Sequence, residues 1–360
     1  MKIFEGKTIL ITGGTGSLGK ILLLRLLKGD HGLPAKILIY SRDEAKQHDI
    51  RLSYLSKKSS TDEVIYSNFQ RMLEFHIGDM RDGPSLAALI KRSNIIINAA
   101  ALKQVPTCEY FPSEAIKTNC GGAENIIAAL RQHELAPELV IGVSTDKACH
   151  PVNVMGITKA LQERILIAGA VHCPRTRFAL VRYGNVLASR GSVVPLFHEQ
   201  IKNGGPVTVT DRQMTRFLIS LDQAVDTIFA CALGAKTGEI FVPIMPSTSV
   251  LNLAQALIGK SPIEIKITGI RPGEKLHEVL VSEEEISRVR KVGNYYVIQP
   301  MLPELNFHTP KSAIESTVEM REEYSSKQSS LSVTETHALL KANSLLIEQN
   351  YAPAREEMLR

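Results

Sequence analysis

A glycine-rich turn directly after the first apolar run constrains the fold of this chain more than any other feature. Residues 8–12 are apolar and rich in β-branched side chains, and Gly13, Gly16 and Gly19 follow before an amphipathic segment that ends near residue 28. This order predicts a strand, a tight turn and a helix. Gly13 permits the turn, Gly16 lets a ligand approach the backbone, and Gly19 allows close helix packing. Because the N-terminus of a helix attracts anions, the turn predicts the pyrophosphate site of a dinucleotide.

The alternation of apolar strands and amphipathic helices continues after this turn. Further apolar runs cover residues 36–40, 73–77, 94–101, 138–145 and 176–183, and predicted helices cover 43–58, 83–91, 113–133 and 153–170. Because the strands are apolar throughout, they predict a parallel sheet covered on both faces, a Rossmann-type doubly wound α/β fold. Ligands of such sheets bind beyond the carboxyl ends of the strands. The residues that we expect at those ends are Gly16, Arg42, Asp79, Ala99, Thr145 and Tyr183.

The tip of the second strand indicates which dinucleotide binds. The first residues there are Ser41 and Arg42, whereas Asp43 and Glu44 come one or two places later and are typical of the first turn of a helix. A carboxylate at this tip binds the ribose 2′-hydroxyl of NAD, and an arginine accommodates the 2′-phosphate of NADP. We therefore predict NADP, with NAD as the alternative. The other residues that we assign to this cleft are Thr15, Ser17, Leu18, Met80, Ala99 and Ala100.

The regular alternation loosens after residue 186. Shorter elements are predicted at 192–203, 206–209, 221–233, 240–242, 250–258 and 263–267, and a helical segment at 332–348 follows a Ser-, Glu- and Lys-rich stretch. We predict an NADP-binding domain at 1–186, a smaller α/β substrate-binding region at 187–310 that can return elements to the first domain, and a peripheral tail at 311–360. Arginines stand out in the second region at positions 190, 216 and 271, and an arginine beside Pro and Gly at a helix start suits a diphosphate.

Composition excludes several classes of protein. The chain has 360 residues, of which 44% are hydrophobic and 22% charged, with a net charge of +5 from dispersed basic residues. This balance gives no reason to expect a nucleic-acid partner. The five cysteines form no Cys-x-x-Cys pair and the histidines do not cluster, so we expect reduced thiols and no metal site. No run approaches the roughly 18 apolar residues of a spanning helix, and we expect a cytoplasmic protein without an integral membrane segment.

The stretch 143–159 carries most of the chemistry. It contains Thr145, Asp146 and Lys147 directly after a predicted strand, and Asn153 can cap a helix that carries Lys159. An adjacent acid and base suit an elimination, and a lysine in a closed apolar site can lose its proton near neutral pH. A surface Asp-Lys pair at a strand end is the plain structural alternative.

With these motifs the chain resembles the extended short-chain dehydrogenases/reductases of the nucleotide-sugar type, and more narrowly the UDP-N-acetylglucosamine 4,6-dehydratases, including the inverting enzymes. The resemblance extends from residue 8 to about 300. The stretches that carry it are 12–19, 40–44, 99–106, 144–159, 182–195, 214–217 and 269–278, with 295–300 as a weaker match.

The resemblance implies a reaction and a set of site residues. C4 of the hexose is oxidised by NADP, a base removes the C5 proton, an acid helps the C6 hydroxyl to leave, and the hydride returns to C6. Asp146 is then the acid at O6, Lys147 the base at C5 and Thr145 the hydrogen-bond partner of O4, while Lys159 binds the nicotinamide ribose. The resemblance further assigns Lys103 and Tyr183 to the cofactor cleft, with Lys103 also near the substrate, and gives the substrate contacts as Asn185, Arg216, Arg271 and Glu274.

Met155 departs from the pattern of the short-chain dehydrogenases, which carry a tyrosine four residues before the lysine. A thioether cannot accept a proton. Relatives with Met at this place exist in the family, so we expect an active enzyme in which Asp146, Lys159 or water takes the O4 proton. A site that is no longer catalytic is the alternative.

Several functions stay open on the sequence. The preferred one is an inverting dehydratase that acts on a UDP-sugar and forms a UDP-2-acetamido-2,6-dideoxy-4-keto-hexose. The alternatives are a retaining dehydratase, a UDP-sugar 4-epimerase and a non-catalytic NADP-binding regulatory protein. The resemblance also implies a homo-oligomer, with a hexamer as one form.

Overall fold

The computed structural model describes residues 2–55, 60–189, 191–305, 320–328 and 330–346. Arg190 and the remaining residues of the predicted tail lie outside this range.

The strands and helices are numbered in chain order. The strands of the described residues are β1 Thr8–Thr12, β2 Lys36–Ser41, β3 Leu73–Ile77, β4 Ile95–Asn98, β5 Leu139–Val143, β6 Arg177–Val181, β7 Asn185–Val186, β8 Val207–Val209, β9 Thr215–Ile219, β10 Ile240–Pro243, β11 Ser247–Ser249, β12 Ile265–Ile267, β13 Val279–Val281, β14 Val289–Val292, β15 Tyr295–Ile298, β16 Tyr324–Ser325 and β17 Ser330–Leu331. The α-helices are α1 Ser17–Leu27, α2 Glu44–Leu55, α3 Ser60–Met72, α4 Gly83–Ile90, α5 Val105–Tyr110, α6 Pro112–Ala115, α7 Gly121–Gln132, α8 Val154–His172, α9 Val193–Lys202, α10 Leu221–Gly234, α11 Val250–Ile258, α12 Glu283–Ile286 and α13 Val333–Ala342.

The main sheet confirms the predicted Rossmann-type α/β fold. Among the described residues it has the strand order β14-β15-β10-β6-β5-β4-β1-β2-β3. The run from β3 to β10 is parallel, and β15 and β14 extend it as an antiparallel hairpin. Strand β1 is apolar and buried at Ile9, Leu10 and Ile11, as a strand covered on both faces must be.

The carboxyl ends of the parallel strands meet at one edge of this sheet. Strands β1, β2 and β3 lead into Gly13, Arg42 and Asp79, and β4, β5 and β6 lead into Ala99, Thr145 and Tyr183. The side chain of Thr12 donates to Asn98 Oδ1 at 2.7 Å and joins the ends of β1 and β4. These are the strand ends at which the sequence predicted Arg42, Asp79, Ala99, Thr145 and Tyr183.

The polar segment before β3 differs from the prediction, because residues 60–72 form helix α3. Its buried side chains Ile65, Phe69 and Met72 recur at helical spacing. Phe69 stacks on Tyr54 of α2 with ring centroids 4.9 Å apart. Sparse apolar residues at this spacing were hidden by the many polar residues between them.

The helix predicted at 113–133 is divided into α6, a π-helical turn at Ile116–Cys120, and α7. Such turns occur frequently at functional sites. Asn119 of this turn is fully buried and exchanges two hydrogen bonds with the backbone of Leu102, at 2.8 and 3.1 Å, while its amide also donates to Thr158 at 2.9 Å. The turn therefore fixes the loop after β4 against helix α8.

A second, smaller core lies beyond the main sheet. It contains Phe197, Val209, Leu218, Leu253 and Leu340 and is bordered by the sheet β17-β11-β9-β7. Helix α13, within the segment that we expected to be peripheral, therefore contributes to this core. Strands β10, β14 and β15 return to the main sheet, as the prediction for residues 187–310 allowed. In the described ranges no helix is both long and apolar enough to cross a membrane.

Candidate active site

The glycine turn has the geometry of a phosphate cradle. Gly13 has a φ of +66°, and a Cβ there would lie 2.8 Å from the backbone of Ala100. A Cβ on Gly19 would lie 2.3 Å from the carbonyl oxygen of Gly14, so α1 can approach the turn only through a glycine. Helix α1 begins after Gly16 without a side-chain cap and without an acidic residue in its first turn. Its N–H groups are therefore available to an anion such as a dinucleotide pyrophosphate.

At the tip of β2, Arg42 and Asp43 have different surroundings. Asp43 Oδ1 accepts the backbone N–H of Lys46 at 3.0 Å, so this carboxylate serves the start of α2. Arg42 is exposed and lies 3.6 Å from Asp79 Oδ2. Ser41 is buried, and its hydroxyl accepts from Gln47 at 3.1 Å. Of Ser41, Arg42 and Asp43, Arg42 is thus the most exposed residue at the strand tip.

The turn after β3 is held by Arg81 and by β2. Asp79 accepts hydrogen bonds from the backbone and guanidinium of Arg81, and its carbonyl oxygen accepts from Tyr40 at 2.8 Å. Although burial opposes it, the hydrogen bonds from Arg81 lower the pKa of Asp79, so this residue is an anion. Met80 is buried and packs against Gly122 of α7. A Cβ on Gly122 would lie 3.0 Å from the Cβ of Met80. Met80 therefore supports the cleft from the core side.

Thr145, Asp146 and Lys147 are brought together in a short 3-10 turn after β5. The Asp146 backbone N–H donates to the carbonyl oxygen of Tyr183 at 3.0 Å, which fixes the turn to the end of β6. Asp146 Oδ1 accepts from Thr145 Oγ1 at 2.9 Å and from Lys147 Nζ at 3.0 Å. Asp146 Oδ2 is buried and has no hydrogen-bond partner among the described residues. This oxygen is where a proton for a substrate atom can reside.

The environment of Asp146 favours its neutral form. The residue has no exposed surface, and burial raises the pKa of its carboxyl, against the attraction of the Lys147 ammonium group. The carboxylate of Glu278 adds to the rise. Burial and the neighbouring carboxylate therefore favour the form of Asp146 that can donate a proton.

Lys147 differs from the prediction that its site is apolar and its pKa depressed. Burial does act to lower its pKa, but the carboxyl groups of Asp146 and Glu278 outweigh it and raise the pKa above the ordinary value. The Glu278 Oε1 atom lies 3.3 Å from Lys147 Nζ. The error has a simple source, because Glu278 lies 131 residues away along the chain and only the fold places it here.

Lys159 and Met155 lie one turn apart on α8, whose start is capped by Asn153 as predicted. Lys159 Nζ donates to the Val143 carbonyl oxygen at 2.6 Å and contacts Gln162 Oε1. Burial lowers the pKa of Lys159 to about 8. Met155 is buried in a small cluster with Cys108 and Ala115. The thioether thus packs against the neighbouring helices rather than forming part of a polar network.

Tyr183 is buried at the end of β6, and burial raises the pKa of its phenol above the ordinary range. The neighbouring Arg182 is paired with Glu163 of α8 at 2.6 Å and with Glu285 of α12 at 2.8 Å. These ion pairs, together with a hydrogen bond from Ser144 to Glu163, tie β5, β6 and α8 to the second region. The cysteine nearest the site, Cys149, is buried, and burial raises its pKa to about 12, which makes it inert as a nucleophile.

The predicted substrate residues lie in different surroundings, and one of them is close to Asp146 and Lys147. Arg216 on β9 lies inside the cluster, with its Nε 3.8 Å from Glu278 Oε1. Asn185 on β7 has a buried Oδ1 without a hydrogen-bond partner among the described residues. Arg271 is exposed, and its backbone N–H donates to Glu274 at 3.4 Å. Lys103 is exposed in the loop after β4.

The loop that carries Arg271 and Glu274 is anchored over the start of α8. Asn153 donates to the carbonyl oxygen of Gly273 at 2.7 Å, and Lys275 Nζ donates to the Cys149 carbonyl oxygen at 2.8 Å. The loop is therefore fixed to the start of α8 and to the residue that follows the 3-10 turn after β5.

Sequence reasoning missed three polar residues of the site, namely Asn119, Lys275 and Glu278. Lys275 and Glu278 stand inside the stretch 269–278 that carries the resemblance, and this was the only signal that pointed to them. Asn119 follows an unremarkable helical pattern, and no sequence signal marks the π-helical turn that buries it.

The fold and the similarity to known proteins place this chain among the nucleotide-sugar-modifying enzymes of the short-chain dehydrogenase/reductase type, a group that contains dehydratases and epimerases. More particularly, the chain belongs to the polysaccharide biosynthesis protein family, whose profile matches residues 9–300.

Named relatives cover almost the whole chain. A protein of Rickettsia akari (strain Hartford) named UDP-glucose 4-epimerase is 42% identical over 329 residues, which are 90% of this chain and 92% of the relative. A protein of Rickettsia canadensis (strain McKiel) with the same name is 40% identical over 354 residues, 97% of this chain and 98% of the relative.

Two solved structures illustrate the similarity of the fold. The X-ray structure of Pen from Bacillus thuringiensis has a TM-score of 0.83 at 30% identity and covers 95% of this chain and 99% of its own. The dTDP-glucose 4,6-dehydratase DesIV from Streptomyces venezuelae, with NAD and TYD bound, has a TM-score of 0.62 at 20% identity and covers 75% of this chain and 86% of its own. The second likeness concerns the fold alone.

Proposed function

We propose that this protein is an NADP-dependent, inverting UDP-N-acetylglucosamine 4,6-dehydratase, which forms a UDP-2-acetamido-2,6-dideoxy-4-keto-hexose. The observation that carries this proposal is the pairing of a fully buried carboxyl, Asp146, with the adjacent Lys147 at the carboxyl end of β5. An elimination across C5 and C6 needs a proton donor at the leaving oxygen and a proton acceptor at C5. A 4-epimerization needs neither.

The proton transfers can be assigned to residues of this turn. Asp146 gives its proton to O6 as the C6–O6 bond breaks, so that O6 leaves as water. Lys147 takes the C5 proton, and the electron pair of the C5–H bond forms the C5–C6 double bond. Because carboxylates raise the pKa of Lys147, only its minor neutral form can act, and we expect the rate to rise with pH until Asp146 loses its proton.

Because Met155 cannot accept a proton, another group must take the proton of O4. Of the acceptors that the sequence leaves open, Asp146 has a pKa that burial raises and serves as the proposed donor at O6, whereas burial lowers the pKa of Lys159 to about 8. Lys159 is therefore the proposed acceptor, acting through its neutral form, which is the minor form below pH 8, with Thr145 as the hydrogen-bond partner of O4.

The cleft fits a dinucleotide on its own geometry. The turn at Gly13 admits no side chain beside Ala100, and the first turn of α1 holds no acid that would repel a pyrophosphate. When bound, the nicotinamide cofactor supplies oxidation at C4 and reduction at C6. Gly13, Thr15, Gly16, Ser17, Leu18 and Gly19 would hold the pyrophosphate, and Ser41 with Arg42 would hold the 2′-phosphate.

The preference for NADP rests on Arg42 and is tested there. Arg42→Ala should weaken NADP⁺ binding about 10- to 100-fold, since a hydrogen bond to a charged group contributes about 1.5–3 kcal/mol. Binding of NAD⁺ should stay unchanged, as measured by isothermal titration calorimetry. Asp43→Asn is the matched control, because Asp43 caps α2. Equal affinity of the natural protein for both cofactors would contradict the assignment.

A UDP-sugar 4-epimerase is the second candidate, because the Rickettsia relatives carry the name UDP-glucose 4-epimerase. The buried Asp146 has no task in that reaction. Both candidates can be separated by incubating the protein and NADP⁺ with UDP-N-acetylglucosamine, and in parallel with UDP-glucose, in D₂O and following the sugar by NMR. A C6 methyl group with deuterium at C5 indicates a dehydratase, and the C5 coupling constants distinguish inversion from retention.

The remaining outcomes of this experiment are equally definite. A C4 epimer without a methyl group would replace the dehydratase by the epimerase. Unchanged sugars would leave a cofactor-binding protein without either activity. Lys147→Ala should abolish the methyl product, and normal turnover by this variant would remove Lys147 from the reaction.

We also propose a cytoplasmic homo-oligomer. Large apolar side chains are exposed at the end of α5 and just after it, in the π-helical turn and on α8, at Tyr110, Phe111, Ile116, Ile157 and Leu161. Large exposed apolar side chains mark interaction sites where they form a contiguous patch. Light scattering of the purified protein should give a mass above 39.6 kDa, and a hexamer is one expected form. A monomer at micromolar concentration would contradict this part of the proposal.

A further inference from the structure

Glu278 is a buried carboxylate that the proposed reaction does not use. Only 2% of its surface is exposed, and it directly precedes β13. Its Oε1 lies 3.3 Å from Lys147 Nζ and 3.8 Å from Arg216 Nε, and its Oε2 lies 3.0 Å from Lys275 Nζ. Three cations thus face the Glu278 side chain. Lys147 comes from the turn that also holds Asp146, which we call the catalytic turn, Arg216 comes from β9, and Lys275 comes from the segment of Glu278 itself. A buried charge surrounded in this way stays ionised.

The electrostatic balance agrees with this geometry. Burial opposes ionisation, yet Lys147, Arg216 and Lys275 together lower the pKa of Glu278 to about 2. Such a carboxylate is a poor proton acceptor at neutral pH. A role as a fixed negative charge fits it better than a role as a base.

The backbone of Glu278 is fixed by the C-terminal part of the chain. Its N–H donates to Ser326 Oγ at 2.9 Å, and its carbonyl oxygen accepts the Ser326 N–H at 2.8 Å. Ser326 is fully buried and its hydroxyl also pairs with Thr215 Oγ1 at 2.7 Å. Thr215 precedes Arg216 on β9, so one serine holds both the carboxylate and one of its cations in place.

Asp146 shares its cation with Glu278. Lys147 Nζ lies 3.0 Å from Asp146 Oδ1 and 3.3 Å from Glu278 Oε1. Two carboxyl groups on one ammonium group inside a buried site do not both ionise easily. Glu278, which has two further cations, is the one that keeps the charge.

We propose that Glu278 is a positioning residue, whose fixed negative charge orients the Lys147 ammonium group and keeps Asp146 in its protonated, proton-donating form. This role rests on the proposed function, because it serves the delivery of a proton to O6. The charged groups that face Glu278 are Lys147 and Asp146 from the catalytic turn, Arg216 from β9, and Lys275 from its own segment.

The test compares the titration of Asp146 in the natural protein and in Glu278→Gln. The Asp146 carboxyl carbon is followed by ¹³C NMR over a pH series in the full chain without substrate, with Asp146→Asn used for assignment. Removal of the negative charge should lower the Asp146 pKa by about one unit or more. The pH optimum of dehydration should move to lower pH, because the Lys147 pKa falls as well. An unchanged Asp146 titration would overturn the proposal.

Two variants separate the electrostatic role from a structural one. Glu278→Asp keeps the charge and should return the pH optimum towards that of the natural protein. Glu285→Gln removes another buried carboxylate, the partner of Arg182, and should leave the Asp146 titration unchanged even if the protein becomes less stable.

A further variant covers the case in which Glu278→Gln does not fold. Lys275→Met removes one cation from the same carboxylate and should shift the Asp146 titration upwards, in the opposite direction, and a titration that stays in place would overturn the proposal. Since each titration is made without substrate, failure of the dehydration assay and failure of this role are distinguishable.

Discussion

Lys147 and Lys159 lie at the same edge of the sheet, but their surroundings give them opposite properties. Among the described residues, Lys159 donates to two neutral oxygens, the Val143 carbonyl and the Gln162 amide, and burial lowers its pKa to about 8. Lys147 contacts the carboxyl groups of Asp146 and Glu278, and its pKa is raised despite burial. The difference shows that burial alone does not fix the charge of a lysine, because the charge of its partners can reverse the direction.

The two lysines therefore suit different tasks. Lys147 belongs to a cluster of alternating charges in which removal of one member leaves the others uncompensated. Lys159 is a single amine whose proton is weakly held near neutral pH. Substitution by methionine, which keeps much of the length of the side chain and removes the charge, should separate them.

The largest effect is expected for Lys147→Met. Loss of a group that transfers a proton should lower the rate of dehydration about 10²- to 10⁴-fold, measured by NMR of the product methyl group. Asp146 and Glu278 would lose their shared cation, which should lower the free energy of unfolding by about 3 kcal/mol in urea denaturation. Lys117→Met, at an exposed ion pair with Glu114, is the control and should change stability by less than about 1 kcal/mol. A Lys147→Met protein with normal stability and activity would contradict the difference that we infer between Lys147 and Lys159.

Lys159→Met should have the opposite effect on stability. The pKa of Lys159 falls from 10.5 to about 8 on folding, so below pH 8 the native state holds a buried charge that the unfolded state keeps in water. This penalty is present at pH 7 and disappears as the pH rises through 10.5. Its removal should stabilise the protein at pH 7 by about 1–3 kcal/mol, a gain that shrinks at alkaline pH.

The same variant should lose function. Cofactor affinity should fall about tenfold or more, because a charged hydrogen-bond donor to the ribose is lost. Calorimetric titration with NADP⁺ and urea denaturation at pH 7 and pH 10 measure the two effects. If Lys159→Met were less stable than the natural protein at pH 7, the hydrogen bonds of Lys159 would contribute more to stability than burial of its charge costs. The two lysines would then have the same effect on stability.

The smallest effect is expected for Met155→Leu. Met155 lies one turn before Lys159 but packs with Cys108 and Ala115, so a residue of similar volume should cost less than about 1.5 kcal/mol. Because a thioether accepts no proton, the rate of dehydration should stay close to that of the natural protein. Met155→Tyr places a larger polar ring in this cluster and should cost about 1–3 kcal/mol. A tenfold loss of rate in stable Met155→Leu would give Met155 a direct role.

Much of the first half of the chain could be predicted from the sequence, because the residues that indicate each turn and strand lie close together along the chain. The turn at Gly13 follows its strand directly, and the order of apolar strands indicated which turns would meet at one edge. Helix α3 was missed, since Ile65, Phe69 and Met72 stand among polar residues. The β14–β15 hairpin was missed as well, because it returns to the first sheet from the far end of the second region.

The sequence by itself determined the parallel sheet, the glycine-rich turn after β1 and the adjacency of Thr145, Asp146 and Lys147, because each depends on residues close together along the chain. Only the tertiary structure decided the charges of the two lysines. Glu278 reaches Lys147 from 131 positions away, held by Ser326 from still further along the chain. Electrostatic interactions depend on distance in space, and that distance is set by packing of the second region against the first.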